Sequence, residues 1–116
     1  MSLTPMQVEK RLLDLSKEID EAHKDLINAE QVYHTSKAAL EIAMARSRMS
    51  VSHPDHKLTS VQREDQALIE NADAHMNLAL AEAQVKASRA NSNRIRTQVD
   101  IARSISVSVR SSMEVL

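Results

Sequence analysis

The chain runs for 116 residues without a single glycine. Average usage of about 7% would place roughly eight in a chain of this length. Glycine supplies positive φ for tight turns and lets backbone approach a ligand closely. Without it the chain has almost no means to build phosphate-cradling loops, two-residue hairpin turns or dinucleotide-binding turns. Long helices are what remains. Tyr33 is the only aromatic residue, and Phe and Trp are absent. Large aromatics usually fill globular cores, so a thick core is not expected.

The apolar pattern predicts where the helices meet. Leu12, Ile19, Leu26, Tyr33 and Leu40 form one row at seven-residue spacing, and Val8, Leu15, Ala22, Ala29, Ser36 and Ala43 form the other. Together they make five consecutive heptads, a coiled-coil signal. Thr4-Pro5-Met6-Gln7 supplies a helix start, with Thr4 as cap, Pro5 at the first helical position and Gln7 closing a capping box. The reading is one helix over about 5–51, roughly 70 Å long at ~1.5 Å per residue.

The clear break is the segment 52–59, where Pro54 removes a donor and disfavours helix at His53. Thr59 or Ser60 restarts the chain, Thr59 with Gln62 forming a second capping box. A second helix is expected over about 60–112. Its seam is Ala74, Leu78, Ala81, Val85, Ser88, Ser92, Ile95, Val99 and Ala102. The tail Ser104-Ile105-Ser106-Val107-Ser108-Val109 alternates with period two, as a strand would. Helix is favoured there, because no second strand candidate exists to pair with it and because Ala102, Ser106, Val109 and Met113 continue the heptad phase.

A short connection between two helices of similar length implies an antiparallel helical hairpin. The expected fold is therefore all-α, a single domain over 1–116 built as a long coiled-coil hairpin. Ile27, Val32, Ile42, Met44, Met76, Leu80, Ile101 and Ile105 lie off the main seams, and covering them calls for self-association. The expected homo-oligomer surface is the C-terminal set Ile95, Val99, Ile101, Ala102, Ile105 and Val109.

Composition excludes several function classes. Cysteine is absent, which rules out disulfides, Cys-type zinc sites and thiol nucleophiles and suits a cytoplasmic setting. No 18-residue apolar run suggests a membrane span, and the first residues lack the basic and apolar regions of a secretory signal. The serines fall on helices whose backbone donors are already used, so no oxyanion hole is expected. A thin hairpin offers no deep, dry pocket for a small-molecule substrate. His53-Pro54-Asp55-His56 has weak metal-ligand spacing and no third histidine close by in sequence. The reading is of a non-enzyme with no cofactor and no metal.

Charge is unevenly placed. Residues 1–82 carry nine Lys/Arg against fourteen Asp/Glu, and residues 83–116 carry six against two. Two basic sets stand out. Arg46, Arg48, Lys57 and Arg63 gather at the predicted tip, with His53 and His56 adding charge when protonated. Such a cluster can neutralise phosphates, or Arg46 and Arg48 can simply complement a helix C-terminus. Arg89, Arg96, Arg103 and Arg110, spaced by seven, form a stripe along the second helix. It reads either as a track for nucleic acid or as a row of interhelical ion pairs. Ion pairing is favoured, because a hairpin brings the stripe beside Glu9, Asp14, Glu18, Asp20, Glu21 and Asp25. With no aromatics for base stacking, any strand binding must work through phosphates and be strongly salt-dependent.

Residues 35–116 contain Ser36-Lys37-Ala38-Ala39-Leu40-Glu41-Ile42-Ala43-Met44-Ala45-Arg46-Ser47-Arg48-Met49-Ser50, a polar Pro- and Asp-containing loop, Ser60-Val61-Gln62-Arg63-Glu64-Asp65-Gln66-Ala67-Leu68 and Arg94-Ile95-Arg96-Thr97-Gln98-Val99-Asp100-Ile101-Ala102-Arg103-Ser104-Ile105. In these segments the chain resembles the phage UvsY recombination-mediator family. What this implies is an oligomeric accessory protein of phage recombination or replication. It would bind single-stranded DNA and help a RecA-like recombinase displace single-strand-binding protein, in the cytoplasm of the host. The family's DNA-contacting Lys-X-Arg pair corresponds to Arg46-Ser47-Arg48. The competing reading is a structural or adaptor coiled coil, such as a phage assembly chaperone or host-protein inhibitor, with no nucleic-acid role.

Overall fold

A computed structural model describes residues 3–50 and 59–115 and shows an all-α chain. Three helices follow in order: α1 over Pro5–Ser50, α2 over Ser60–Glu70 and α3 over Ala72–Val115. No strand occurs among the described residues. The tail is therefore helical to Val115, as the heptad phase requires and the period-two alternation does not. The expected turn at Pro54, with His53 and His56, lies outside the described residues.

Local chemistry accounts for the helix starts. Thr4 N–H donates to Gln7 Oε1 at 3.0 Å and Gln7 N–H donates to Thr4 Oγ1 at 3.2 Å, a reciprocal capping box. The same pair of bonds recurs at Thr59 and Gln62, at 3.0 and 3.2 Å. Each box satisfies two of the backbone donors that a helix start leaves open. At the other end of α1, Arg48 sits in the last turn, where a cation complements the helix dipole, and Ser50 Oγ donates to Ser47 O at 3.0 Å.

The sequence pattern runs unbroken over 60–112, whereas the backbone departs from the helix at Asn71, with φ −109° and ψ 24°. The cause is a competing hydrogen-bond set. Asn71 Nδ2 donates to Ala67 O at 2.8 Å and to Ser47 Oγ on α1 at 2.9 Å. Asn side chains draw the backbone away from helix in this way. The break is shallow, because Asn71 N–H still donates to Ala67 O and His75 N–H to Asn71 O.

The chain forms two compact units. The first joins Met1–Ile27 to Lys86–Leu116. Its core is Leu15 and Ala22 on α1 with Ile95, Val99 and Ala102 on α3, flanked by Leu12 and Ile19. Arg11 meets Gln98, and Leu3 and Pro5 share a groove with Ile105, Val109 and Met113. Residue numbers rise along one segment as they fall along the other, so the two run antiparallel here. The second unit is Asn28–Val85, where Ala29, Leu40, Ala67, Ala81 and Val85 are buried. Every predicted α3 seam residue is buried or half-buried. The seams are thin: Leu15 is the one large side chain that is fully buried among the described residues.

Candidate functional site

The predicted basic tip lies in the second unit. α1 carries Arg46 and Arg48 in its last turns, and α2 carries Arg63 just after its cap. Lys57 lies outside the described residues. Both α1 arginines are exposed. Arg48 Nη2 pairs with Glu64 Oε1 at 3.3 Å, between side chains 44% and 62% exposed. A pair so open to water adds little stability, yet it halves the cationic character of the Arg46-Ser47-Arg48 run. Arg46 has no ion pair among the described residues. Arg63 is half-buried, and its Nε is shielded from solvent without a hydrogen-bond partner. Among the described residues of the tip, Arg46 is thus the open cation, with Arg48 answered and Arg63 turned partly inward. Sequence reasoning missed Glu64 because it is the residue directly after Arg63.

Beside the tip runs a short polar seam. Asn71 bridges Ser47 and the carbonyl of Ala67 and lies 3.7 Å from Met44 Sδ. A hydrogen-bonded polar pair at a seam position fixes register between helices. The signal was present in sequence, since Asn71 precedes Leu78, Val85, Ser92 and Val99 in one heptad row.

The proposed oligomer residues divide. Ile95, Val99 and Ala102 are buried inside the first unit against Leu15 and Ala22. Their apolar surface is used within one chain, and they are not on its outside. Ile101 is 55% exposed, and Ile105 and Val109 are half-buried. The last two line an apolar groove of 540 Å³ with Leu3, Pro5 and Met113. A second, polar groove of 260 Å³ lies between Glu18, Glu21 and Asp25 on α1 and Asn91, Arg94 and Gln98 on α3. Within it Arg11 pairs with Glu18 at 3.7 Å and donates to Gln98 Oε1 at 3.3 Å. Arg94 donates to Asn91 Oδ1 at 2.9 Å.

Three of the four arginines of the stripe do not form the expected ion pairs. Arg96, Arg103 and Arg110 are exposed and make no ion pair among the described residues. The α1 row on that flank explains it: Glu9, Ser16 and His23 offer only one carboxylate. Three of the six acidic residues that the expectation named, Glu18, Glu21 and Asp25, line the groove on the other flank.

Among the described residues no group of three His, Cys, Asp or Glu side chains could hold a metal ion. His34 stacks edge-on with its neighbour Tyr33, ring centroids 5.2 Å apart. His75 Nε2 is shielded without a hydrogen-bond partner. Among the described residues no helix is long and apolar enough to cross a membrane. Comparison with protein-family models, with curated proteins and with solved structures finds no match to this chain.

Proposed function

We propose that this chain is a non-enzymatic coiled-coil protein that acts by association. It folds back as a long antiparallel helical hairpin, and its copies assemble into a homo-oligomer that serves as a structural or adaptor element. The observation that carries this reading is the apolar groove of Leu3, Pro5, Ile105, Val109 and Met113, with Ile101, one turn before Ile105 on the same helix, also exposed. An open groove with this lining favours a protein partner over a small substrate. Light scattering at fixed protein concentration tests it. The wild type is expected above the 12.9 kDa of one chain. Ile101→Asp alone is expected to lower the mass with helical circular dichroism retained, and Ile105→Asp/Val109→Asp to lower it further. A wild type at monomer mass overturns the reading.

A second reading is favoured by the open Arg46 and by the resemblance of Arg46-Ser47-Arg48. In it the oligomer binds single-stranded DNA as an accessory to a RecA-like recombinase and its single-strand-binding protein. Arg46 grips phosphate, assisted by Arg48, Lys57 and Arg63, and many weak contacts add up by avidity. Arg46→Ala/Arg48→Ala is then expected to weaken binding of labelled single-stranded DNA about tenfold and to flatten its salt dependence. Equal binding by both proteins removes this reading and leaves the adaptor.

A further inference from the structure

The two flanks of the first unit differ in charge and match in spacing. On one flank of α3, Arg96, Arg103 and Arg110 recur every seven residues, all exposed, with exposed Asp100 between the first two and Val107 between the last two at 63% exposure. None of the three arginines has an ion-pair partner among the described residues. On the other flank, Asn91 and Gln98 line the polar groove, and Ile105 and Ser112, the next members of the same heptad row, line the apolar one. The two grooves therefore follow a single flank. The polar groove holds three carboxylates, Glu18, Glu21 and Asp25, beside two arginines, Arg11 and Arg94. Of these Glu18 pairs with Arg11, while Glu21 and Asp25 have no ion pair among the described residues. Asp14 lies seven residues before Glu21, and Glu18 seven before Asp25. Cations and carboxylates thus repeat with one period, about 10.5 Å along a helix.

Axial position agrees as well. Arg96 stands level with Asn91–Gln98, where the carboxylates lie. Val107 stands level with Ile105–Met113, where the apolar groove lies. A neighbour lying parallel would bring Arg96 and Arg103 toward the carboxylates of Glu21 and Asp14, and Val107 toward the apolar groove.

We propose that the arginine flank of α3 docks onto the grooved flank of a second copy of this chain. The inference rests on the self-association reading above and names the surfaces that carry it. The contact joins two different patches, so each added copy leaves one flank of each kind free. Such a heterologous interface closes into a ring or extends as a filament, and does not stop at a two-fold dimer. Matched flank charges also set partner choice and register between helices.

Charge reversal tests it. Arg96→Glu/Arg103→Glu makes both flanks acidic, and Glu21→Lys/Asp25→Lys makes both basic. All four residues are exposed, so helical circular dichroism is expected to hold for each variant. Mass is read by light scattering at ~0.05 M and ~0.5 M salt, where screening lengths differ about threefold. Each variant alone is expected to associate about tenfold or more weakly than wild type at low salt. Mixing the two variants is expected to restore association, and high salt to weaken it. Wild-type mass in both variants, or a mixture that stays apart, overturns the docking surface. An unaffected oligomer leaves self-association standing and removes only this assignment, whereas a wild type that is monomeric at both salts removes both.

Discussion

Leu15→Ala is expected to destabilise the fold by about 3 kcal/mol, within the usual range for truncating a buried leucine. Leu15 is 1% exposed and sits in the cluster with Ala22, Ile95, Val99 and Ala102. A small neighbour such as Ala22 cannot reach across to fill the space left behind. The truncation therefore costs both the lost transfer energy and a cavity. Domain stabilities run at about 5–15 kcal/mol, so a large share of the total goes with one side chain. Thermal melting should fall by roughly 12 °C or more, at about 4 °C or more per kcal/mol for a chain of this size. Leu13→Ala supplies the control. Leu13 is 59% exposed on the same helix, and its loss should move stability by no more than about 0.5 kcal/mol. Both measurements belong at one protein concentration, because association shifts melting temperatures by mass action. Equal effects at the two leucines would mean that Leu15 does not face α3.

Some features of this chain could be read without coordinates because their causes are local or periodic. The Thr4–Gln7 and Thr59–Gln62 boxes need only residue types three positions apart. The burial of Leu15, Ala22, Ile95 and Val99 follows from heptad phase alone. What escaped the reading depends on which residue lies across from which. Asn71 keeps the heptad phase, so periodicity passes straight over it; the departure from helix comes from its bonds to Ser47 and Ala67. Ile95, Val99 and Ala102 fitted two roles in sequence, an internal seam and an oligomer surface, and packing against Leu15 and Ala22 gives them to the first. The arginine stripe was expected to meet carboxylates, because the α1 segment packed beside it is rich in them by count. Only the flank decides the matter: Ser16 and His23 fall on the stripe's side, and Glu18, Glu21 and Asp25 on the other. Count predicts attraction between segments, and register decides which charges remain open.

Ala67→Leu is expected to cost as much as Leu15→Ala, by the opposite route. Ala67 is 0% exposed, so there is no room for three further heavy atoms. One turn later Asn71 donates both to the Ala67 carbonyl and to Ser47 Oγ, at 2.8 and 2.9 Å. Three residues before Ala67, Glu64 holds Arg48. α2 and the end of α1 are thus held together on both sides of the alanine methyl. A leucine there either leaves its preferred rotamer or pushes the helices apart. Overpacking of this kind typically costs about 1–3 kcal/mol, and parting the Asn71–Ser47 bond adds roughly 1 kcal/mol. Helix propensity offers no escape, since leucine is nearly as good a helix former as alanine. Ala72→Leu separates the two effects. Ala72 is exposed at the start of α3, and the same added side chain should change stability there by about 0.5 kcal/mol at most. Hydrogen exchange locates the damage: amides of α2 and of residues 40–50 should lose protection in Ala67→Leu while those of residues 8–22 and 95–102 keep theirs. Unchanged protection in α2 would show that its alanine face is not pressed against α1, and that the Asn71 bridge spans a gap wide enough for a leucine.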